Sequence, residues 1–380
     1  MIHRIALGSG IAAAAAAVAG WAIARRLTAP VGPRTFDLTV RGVEHDGNGD
    51  LIVLDRTDQT TAPGIYNLWF EHDRWAQLSA EITDRGPTRV ARRITGTTSG
   101  FTPKAGDRAS WSGIYYATPA DAGLHARDIT LTTPAGPCPA WRIDGDPSTW
   151  AIHIHGLGST RAGTLRGVRV ATELGYTSLV VSYRNTAEGP RVDTGRSTLG
   201  DTEKADVDEA IGYAVRRGAE QVVIFGWSMG AAIALQLADH PRHEGLVAAL
   251  VLDSPVLNWT EVIKINCARS GLPAAAGHLA VPWLSIGALA RTVGLPCRIP
   301  LRTFDWIART ADLTTPTLIL HGTRDDSVPI RLSQALRDTR PDLVELETFG
   351  AGHTLCWNTD PGRWQARVAR WLGAQPIGPP

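Results

Sequence analysis

From about residue 121 onward, strand-like apolar runs alternate with helix-forming stretches, and this rhythm restricts the fold more than any other feature of the chain. Runs at 150–155, 178–183, 221–225, 246–252, 317–320 and 343–348 are the strand candidates. Strands of this kind, separated by helices, build a mainly parallel sheet covered on both faces. The helix between the second and third runs is the clearest. Val207, Ala210, Ile211, Ala214 and Val215 share one stripe, and acidic residues from Asp201 to Asp208 crowd its N-terminal half, where they complement the helix dipole. Residues 256–312 interrupt the rhythm and carry Trp259, Trp283 and Trp306. A stretch longer than a plain crossover reads as a small helical cap, with an apolar underside over the strand ends where open α/β sheets bind ligands.

Ahead of residue 121 the pattern differs. Between 34 and 120, β-rich runs at 50–55, 65–70 and 88–94 are separated by turn residues, among them Gly47-Asn48-Gly49. This predicts an N-terminal β-rich domain, and no cluster within it suggests chemistry. Residues 27–34, with their Pro and Gly, read as a linker. Residues 5–24 hold no charge and are flanked by Arg4 and by Arg25-Arg26. Twenty helical residues rise about 30 Å, enough to cross a bilayer core. The expectation for residues 1–33 is therefore a transmembrane anchor, or a signal peptide with Ala22-Ile23-Ala24 as its cleavage site. Either would make the protein membrane-anchored or exported to the cell envelope, in an orientation that arginines on both sides leave open.

Lys plus Arg number 38 against 37 Asp plus Glu, so no global field recruits nucleic acid. The 13 tryptophans suit core or groove walls equally. Cys138, Cys267, Cys297 and Cys356 have neither the spacing of a zinc site nor the density of a disulfide scaffold. Cys267 and Cys297 share one segment and could pair in an oxidising compartment.

The chemistry concentrates in three places. Gly226-Trp227-Ser228-Met229-Gly230 follows the apolar run 222–225 and precedes the helix-forming stretch 231–238. A nucleophile elbow needs that context, because its serine sits on a sharp strand-to-helix turn and its glycines allow close backbone approach. His321-Gly322-Thr323-Arg324-Asp325-Asp326 begins at a strand end, from which a carboxylate can reach a histidine and hold its tautomer. Gly350-Ala351-Gly352-His353 follows the last strand on a glycine-rich loop that can present an imidazole.

With these motifs in the order Ser, Asp, His, residues 121–380 resemble the α/β-hydrolase superfamily. Tyr183-Arg184-Asn185 and Leu199-Gly200-Asp201-Thr202-Glu203 are similar to stretches in a group of little-characterised actinobacterial α/β hydrolases. The resemblance implies Ser228 as nucleophile, His353 as general base and Asp325 as its acid, with Asp326 as rival. Asp253, followed by Ser254-Pro255, reads instead as a structural turn. The resemblance also puts one oxyanion-hole N–H after His155-Gly156, on Leu157, and the other on Met229. His153 and His155 read as strand-end structural histidines, because two histidines without further ligands make no metal site. The expectation is a serine hydrolase of carboxylic esters with no metal and no organic cofactor. An amidase or aminopeptidase on the same machinery, or an idle fold used as a binding module, are the alternatives. Six basic residues against three acidic ones in 256–312 lean towards neutral or anionic esters over a peptidase.

Overall fold

The computed structural model describes the backbone of residues 2–377 and the side chains of residues 13–377. Among them, the first fifteenth of the chain forms helix α1 (Ile2–Leu27). An antiparallel sheet follows, made of β1 (Leu38–Thr39), β2 (Gly42–His45), β3 (Asp50–Asp55), β4 (Tyr66–Trp69), β5 (Trp75–Asp84), β6 (Arg89–Thr97) and β7 (Arg108–Ser112), in the order β1-β7-β4-β5-β6-β3-β2. β1 and β2 are consecutive in the chain yet stand at opposite ends of this order. Val40 N–H bonds to Asp107 beside β7, and Arg41 N–H bonds to Val53 on β3, so the sheet curls until its two edges meet. Closure removes the free edges that an open sheet would expose. Ile52, Leu54, Leu68, Phe70 and Leu78 fill the interior. β5 and β7 were not expected from the sequence, since their exposed stretches alternate too weakly with apolar residues to stand out.

The second sheet runs β15-β14-β13-β12-β10-β11-β9-β8. Its strands are β8 (Arg127–Thr133), β9 (Gly136–Ile143), β10 (Asp146–Ile154), β11 (Tyr176–Val181), β12 (Gln221–Trp227), β13 (Val247–Asp253), β14 (Thr317–Gly322) and β15 (Val344–Phe349). The six from β10 onward are the expected runs and pair in parallel. β8 and β9 form an antiparallel hairpin on the edge of β11. Helices α2 (Leu165–Glu173), α3 (Lys204–Val215), α4 (Met229–Ala238), α8 (Ile330–Thr339), α9 (Cys356–Thr359) and α10 (Pro361–Gly373) cover the two faces, and α5 (Trp259–Arg269), α6 (Gly277–Ser285) and α7 (Gly287–Val293) lie in the stretch between β13 and β14. Strands such as β12, apolar after Gln221 and buried from Val222 to Trp227, belong in a sheet sandwiched in this way.

Two expectations are corrected here. Among the described residues, no helix is long and apolar enough to cross a membrane. The C-terminal part of α1 is instead spent on protein contacts. A Cβ on Gly20 would come 2.1 Å from the Leu279 carbonyl oxygen and 2.9 Å from Trp283, so α1 lies directly on α6. Ala24 is fully buried, and the Trp21 indole N–H donates to the Thr292 carbonyl at 3.1 Å. The side chains of residues 5–12, the rest of the uncharged run, lie outside the described residues. Hydropathy alone does not separate a face made for lipid from one made for another helix. The second correction concerns the tryptophans of 256–312. Trp259 and Trp306 are core residues, and Trp283 faces α1. Cys267 and Cys297 are free thiols.

Candidate active site

β12 ends at Trp227, and Ser228 turns the chain into α4 with φ 53° and ψ −114°. That backbone conformation is costly for a residue with a side chain, by about 1–3 kcal/mol. The turn closes because the residues two positions to either side, 226 and 230, are both glycine. A Cβ on Gly226 would stand 2.6 Å from Ala231 Cα, and one on Gly230 would stand 2.2 Å from the Ile154 carbonyl oxygen. The strain leaves Ser228 Oγ clear of the sheet at the positive end of α4, where negative charge is favoured.

His353 follows β15, and its Nε2 lies 2.9 Å from Ser228 Oγ while its Nδ1 lies 2.7 Å from Asp325 Oδ2. A carboxylate accepts only, so Nδ1 carries the hydrogen and Nε2 is left to accept from the serine hydroxyl. The Asp325 side chain is wholly buried, and its Oδ1 accepts from the backbone N–H groups of Ser327 at 2.9 Å and Val328 at 2.8 Å. Burial works to raise its pKa. The bonds from His321 and His353 overcome it and hold the carboxyl well below the usual range. Asp326 is exposed and lies 3.4 Å from Arg269. Asp253 is buried, accepts from Trp364 Nε1 at 3.1 Å and from Ser254 Oγ at 3.1 Å, and does not contact His353. Of the three carboxylates weighed from the sequence, the fold brings Asp325 to the imidazole.

Leu157 follows the end of β10 and Met229 opens α4. Among the described residues neither backbone N–H is spent on another protein group. A Cβ on Gly156 would touch Ser228 Cβ at 3.0 Å, which shows how closely this loop approaches the serine. The loop is held from below. Tyr183 Oη donates to the His155 carbonyl at 2.7 Å, and its ring stacks on His155 at 4.4 Å. Burial pulls the His155 pKa down to about 4 and that of His153 to about 3, so both are neutral packing groups. Among the described residues no cluster of three or more His, Cys, Asp or Glu is placed to hold a metal ion.

Three supporting residues were not assigned roles from the sequence. His321 is fully buried, with Nε2 at 3.3 Å from Asp325 Oδ2 and 3.2 Å from the Val328 carbonyl, and Nδ1 at 2.8 Å from Ser333 Oγ. Both neighbours of Nε2 are acceptors, so Nε2 carries the hydrogen and steadies the same carboxylate oxygen that His353 contacts. The Ser254 hydroxyl accepts from Thr354 N–H at 3.0 Å and fixes the chain just after His353. Arg166, buried on α2, lies 4.4 Å over the Trp227 ring and donates to the Thr354 carbonyl at 2.9 Å and to Asn358 Oδ1 at 2.5 Å. Burial lowers its pKa to about 10, against the attraction of Asp253. Of these, only His321 had a signal, since it opens the strand-end motif. The partners of Arg166 lie nearly two hundred residues away, beyond any local pattern.

The hollows beside the triad are unequal. One of about 80 Å³ is lined by His155, Leu157, Arg166, Trp227, Ser228 and His353. The other, of about 660 Å³, is a groove between the antiparallel β domain and the loop of His353.

Comparison with known proteins agrees with this architecture. Residues 39–112 match a family described as a domain of unknown function (DUF8805). The esterase Pf2001 of Pyrococcus furiosus shares the fold with a TM-score of 0.53 at 19% identity, over 68% of this chain and 96% of that one. A second crystal form of the same esterase gives 0.53 over 68% of this chain and 95% of that one, also at 19% identity. The human protein ABHD12B is 29% identical over 201 residues, 51% of this chain and 49% of its own. The chain thus spans about half the length of that curated relative. Residues 151–368, more than half of the 380, match the alpha/beta hydrolase family, and with the sheet order and the elbow already described, the chain belongs to that family.

Proposed function

We propose that the protein is a serine hydrolase that cleaves carboxylic esters through Ser228, His353 and Asp325. The observation that carries this reading is the continuous hydrogen-bonded line from Ser228 Oγ through His353 to Asp325, with spacings of 2.9 and 2.7 Å. Ser228 Oγ attacks the acyl carbonyl as His353 Nε2 takes its proton, and Asp325 stabilises the imidazolium that results. The oxyanion is received by the N–H groups of Leu157 and Met229, each worth about 3 kcal/mol in such sites. His353 then gives its proton to the departing alkoxide, and a water activated by the same imidazole releases the acid. An ester asks less of the general acid than an amide does, because an alkoxide departs with less help. Among the described residues of the two hollows, none singles out an amide substrate.

Ser228→Ala is expected to abolish labelling by a fluorophosphonate probe and to lower turnover by about six orders of magnitude. An alanine variant that kept most of its esterase activity would remove the nucleophile assignment. A panel of p-nitrophenyl esters and aminoacyl amides tests the ester reading, and faster cleavage of the amides would replace it.

A further inference from the structure

The β domain showed no chemistry in its sequence, yet it forms one wall of the larger hollow at the triad. Gln59, Tyr66 and Trp111 face Gly352, His353 and Leu355 across the groove of about 660 Å³. The domain is seated there by close backbone contact. Ile65 N–H donates to the Asn358 carbonyl at 2.8 Å, and Asn358 Nδ2 donates to the Ile65 and Gly113 carbonyls at 2.8 and 3.0 Å. A Cβ on Gly64 would fall 2.1 Å from the Asn358 carbonyl oxygen, and one on Gly113 would fall 2.4 Å from Leu355. At Gly64 the clash is with backbone, so a larger residue there would push the domain off the site, whereas at Gly113 the Leu355 side chain would have to turn aside.

Chemistry tells the two hollows apart. His353 is common to both linings, whereas Ser228 and Leu157 line only the small one. The carbonyl must sit against Ser228 with its oxygen towards Leu157 and Met229, so the hollow of about 80 Å³ lies on the acyl side. In the step that breaks the ester, the C–O bond opens and the electron pair goes to the leaving oxygen. The proton that His353 Nε2 took from Ser228 passes to that oxygen. The leaving group must therefore stand against His353, on the side away from the oxyanion loop. The groove is lined by His353 and by neither Leu157 nor Ser228, which fits that side.

We propose that the groove built by the β domain is the binding site for the alcohol half of the substrate, and that the substrate joins a short acyl group to a bulky, ring-bearing alcohol. This rests on the ester-hydrolase reading above. The Trp111 ring, backed by the buried Tyr66 ring 4.6 Å away at 35°, gives the groove with Ala62 and Leu355 an apolar and aromatic side. Asp58, Arg324 and Asp326 stand exposed along its rim. A flat ring can lie against the aromatic side while a polar substituent reaches the rim. The small hollow beside Ser228 leaves little room for a long acyl chain.

The test compares two substrate series on the full chain. Methyl, phenyl and 2-naphthyl acetates vary the alcohol, and p-nitrophenyl acetate, butyrate and octanoate vary the acyl group. Trp111→Ala is expected to reduce the preference of kcat/KM for 2-naphthyl over methyl acetate by about tenfold, the scale of one lost aromatic contact. The order of the acyl series should stay as it was. Gln59→Trp, a change at an exposed position that leaves the barrel interior alone, should partly fill the groove and lower 2-naphthyl acetate about tenfold more than methyl acetate. Equal losses on all acetates, or a change confined to the acyl series, would overturn the proposal. Binding of 2-naphthol, the product alcohol, to Ser228→Ala reads the groove without turnover. A protein that binds 2-naphthol, loses that binding in Gln59→Trp, and cleaves no ester would sink the ester reading while keeping the groove. Naphthol binding that ignores Gln59→Trp sinks the groove itself.

Discussion

At the scale of single residues, Asp325 and Asp326 differ by one position and by their whole environment. The first is buried against two imidazoles and two backbone N–H groups, and the second is solvated beside Arg269. Asp325→Asn should lower kcat by about four orders of magnitude, because an amide can hold the imidazole in the wrong tautomer. Asp326→Asn should stay within about twofold, as surface changes usually do. Steady-state kinetics on p-nitrophenyl acetate decides it, and the reverse result would exchange their roles. Asp325 also carries a pH signature. Its folded pKa is depressed, so it contributes stability that is present above the unfolded carboxylate pKa and lost as pH falls through the folded value. The stability gap between wild type and Asp325→Asn should therefore narrow on acidification, as denaturant midpoints along an acid series would record. A gap that widened would mean that the carboxylate is not the stabilised form.

At the scale of elements, α1 and the helices between β13 and β14 act together. Trp283 on α6 meets α1 at Gly20, and the Arg25 guanidinium donates to the Val293 carbonyl at 3.3 Å. None of Trp259, Trp283 and Trp306 lines either hollow at the triad. Trp283→Ala should thus cost about 2 kcal/mol of stability, less than a fully buried tryptophan, and leave the acyl-chain preference unaltered. Thermal unfolding and the p-nitrophenyl ester series test the two halves of this statement. A changed chain-length profile in a variant of native stability would bring Trp283 back to the substrate. Gly20→Leu should act in the same direction by forcing α1 away from the Leu279 carbonyl.

At the scale of the molecule, one asparagine joins three parts. Asn358 takes a bond from Arg166 on α2, gives two to the β domain, and sits in α9 just after the loop of His353. Asn358→Ala should cost about 3 kcal/mol, because the buried guanidinium and two carbonyls lose a partner at once. It should also loosen the β domain, so that protease cuts between residues 113 and 127 sooner than in wild type. Unchanged proteolysis together with unchanged stability would show that the domain is seated by other contacts.

What the sequence determines here is local. The alternation from β10 to β14 was legible because each buried strand is a short, mainly apolar run, while β15 alternates apolar and polar residues. The elbow was legible because only glycine fits at 226 and 230, and that steric demand leaves its mark in five adjacent residues. The edge hairpin β8–β9 was not, since Pro137 and Pro139 interrupt its second strand and polar residues alternate through the first. The meeting of Ser228, Asp325 and His353 could be anticipated from their order, but the spacings and the partners behind them could not. His321, Ser254 and Arg166 act through neighbours that only the folded chain supplies. The two largest departures have the same cause. The uncharged N-terminal run and the aromatic residues of the β domain each present an apolar surface, and a sequence records that such a surface must be covered without recording by what. Packing against α6 covers the described end of the first, and contacts with Asn358 seat the domain that carries the second, because burial rewards any apolar partner of the right shape and the tertiary structure alone determines which partner is within reach.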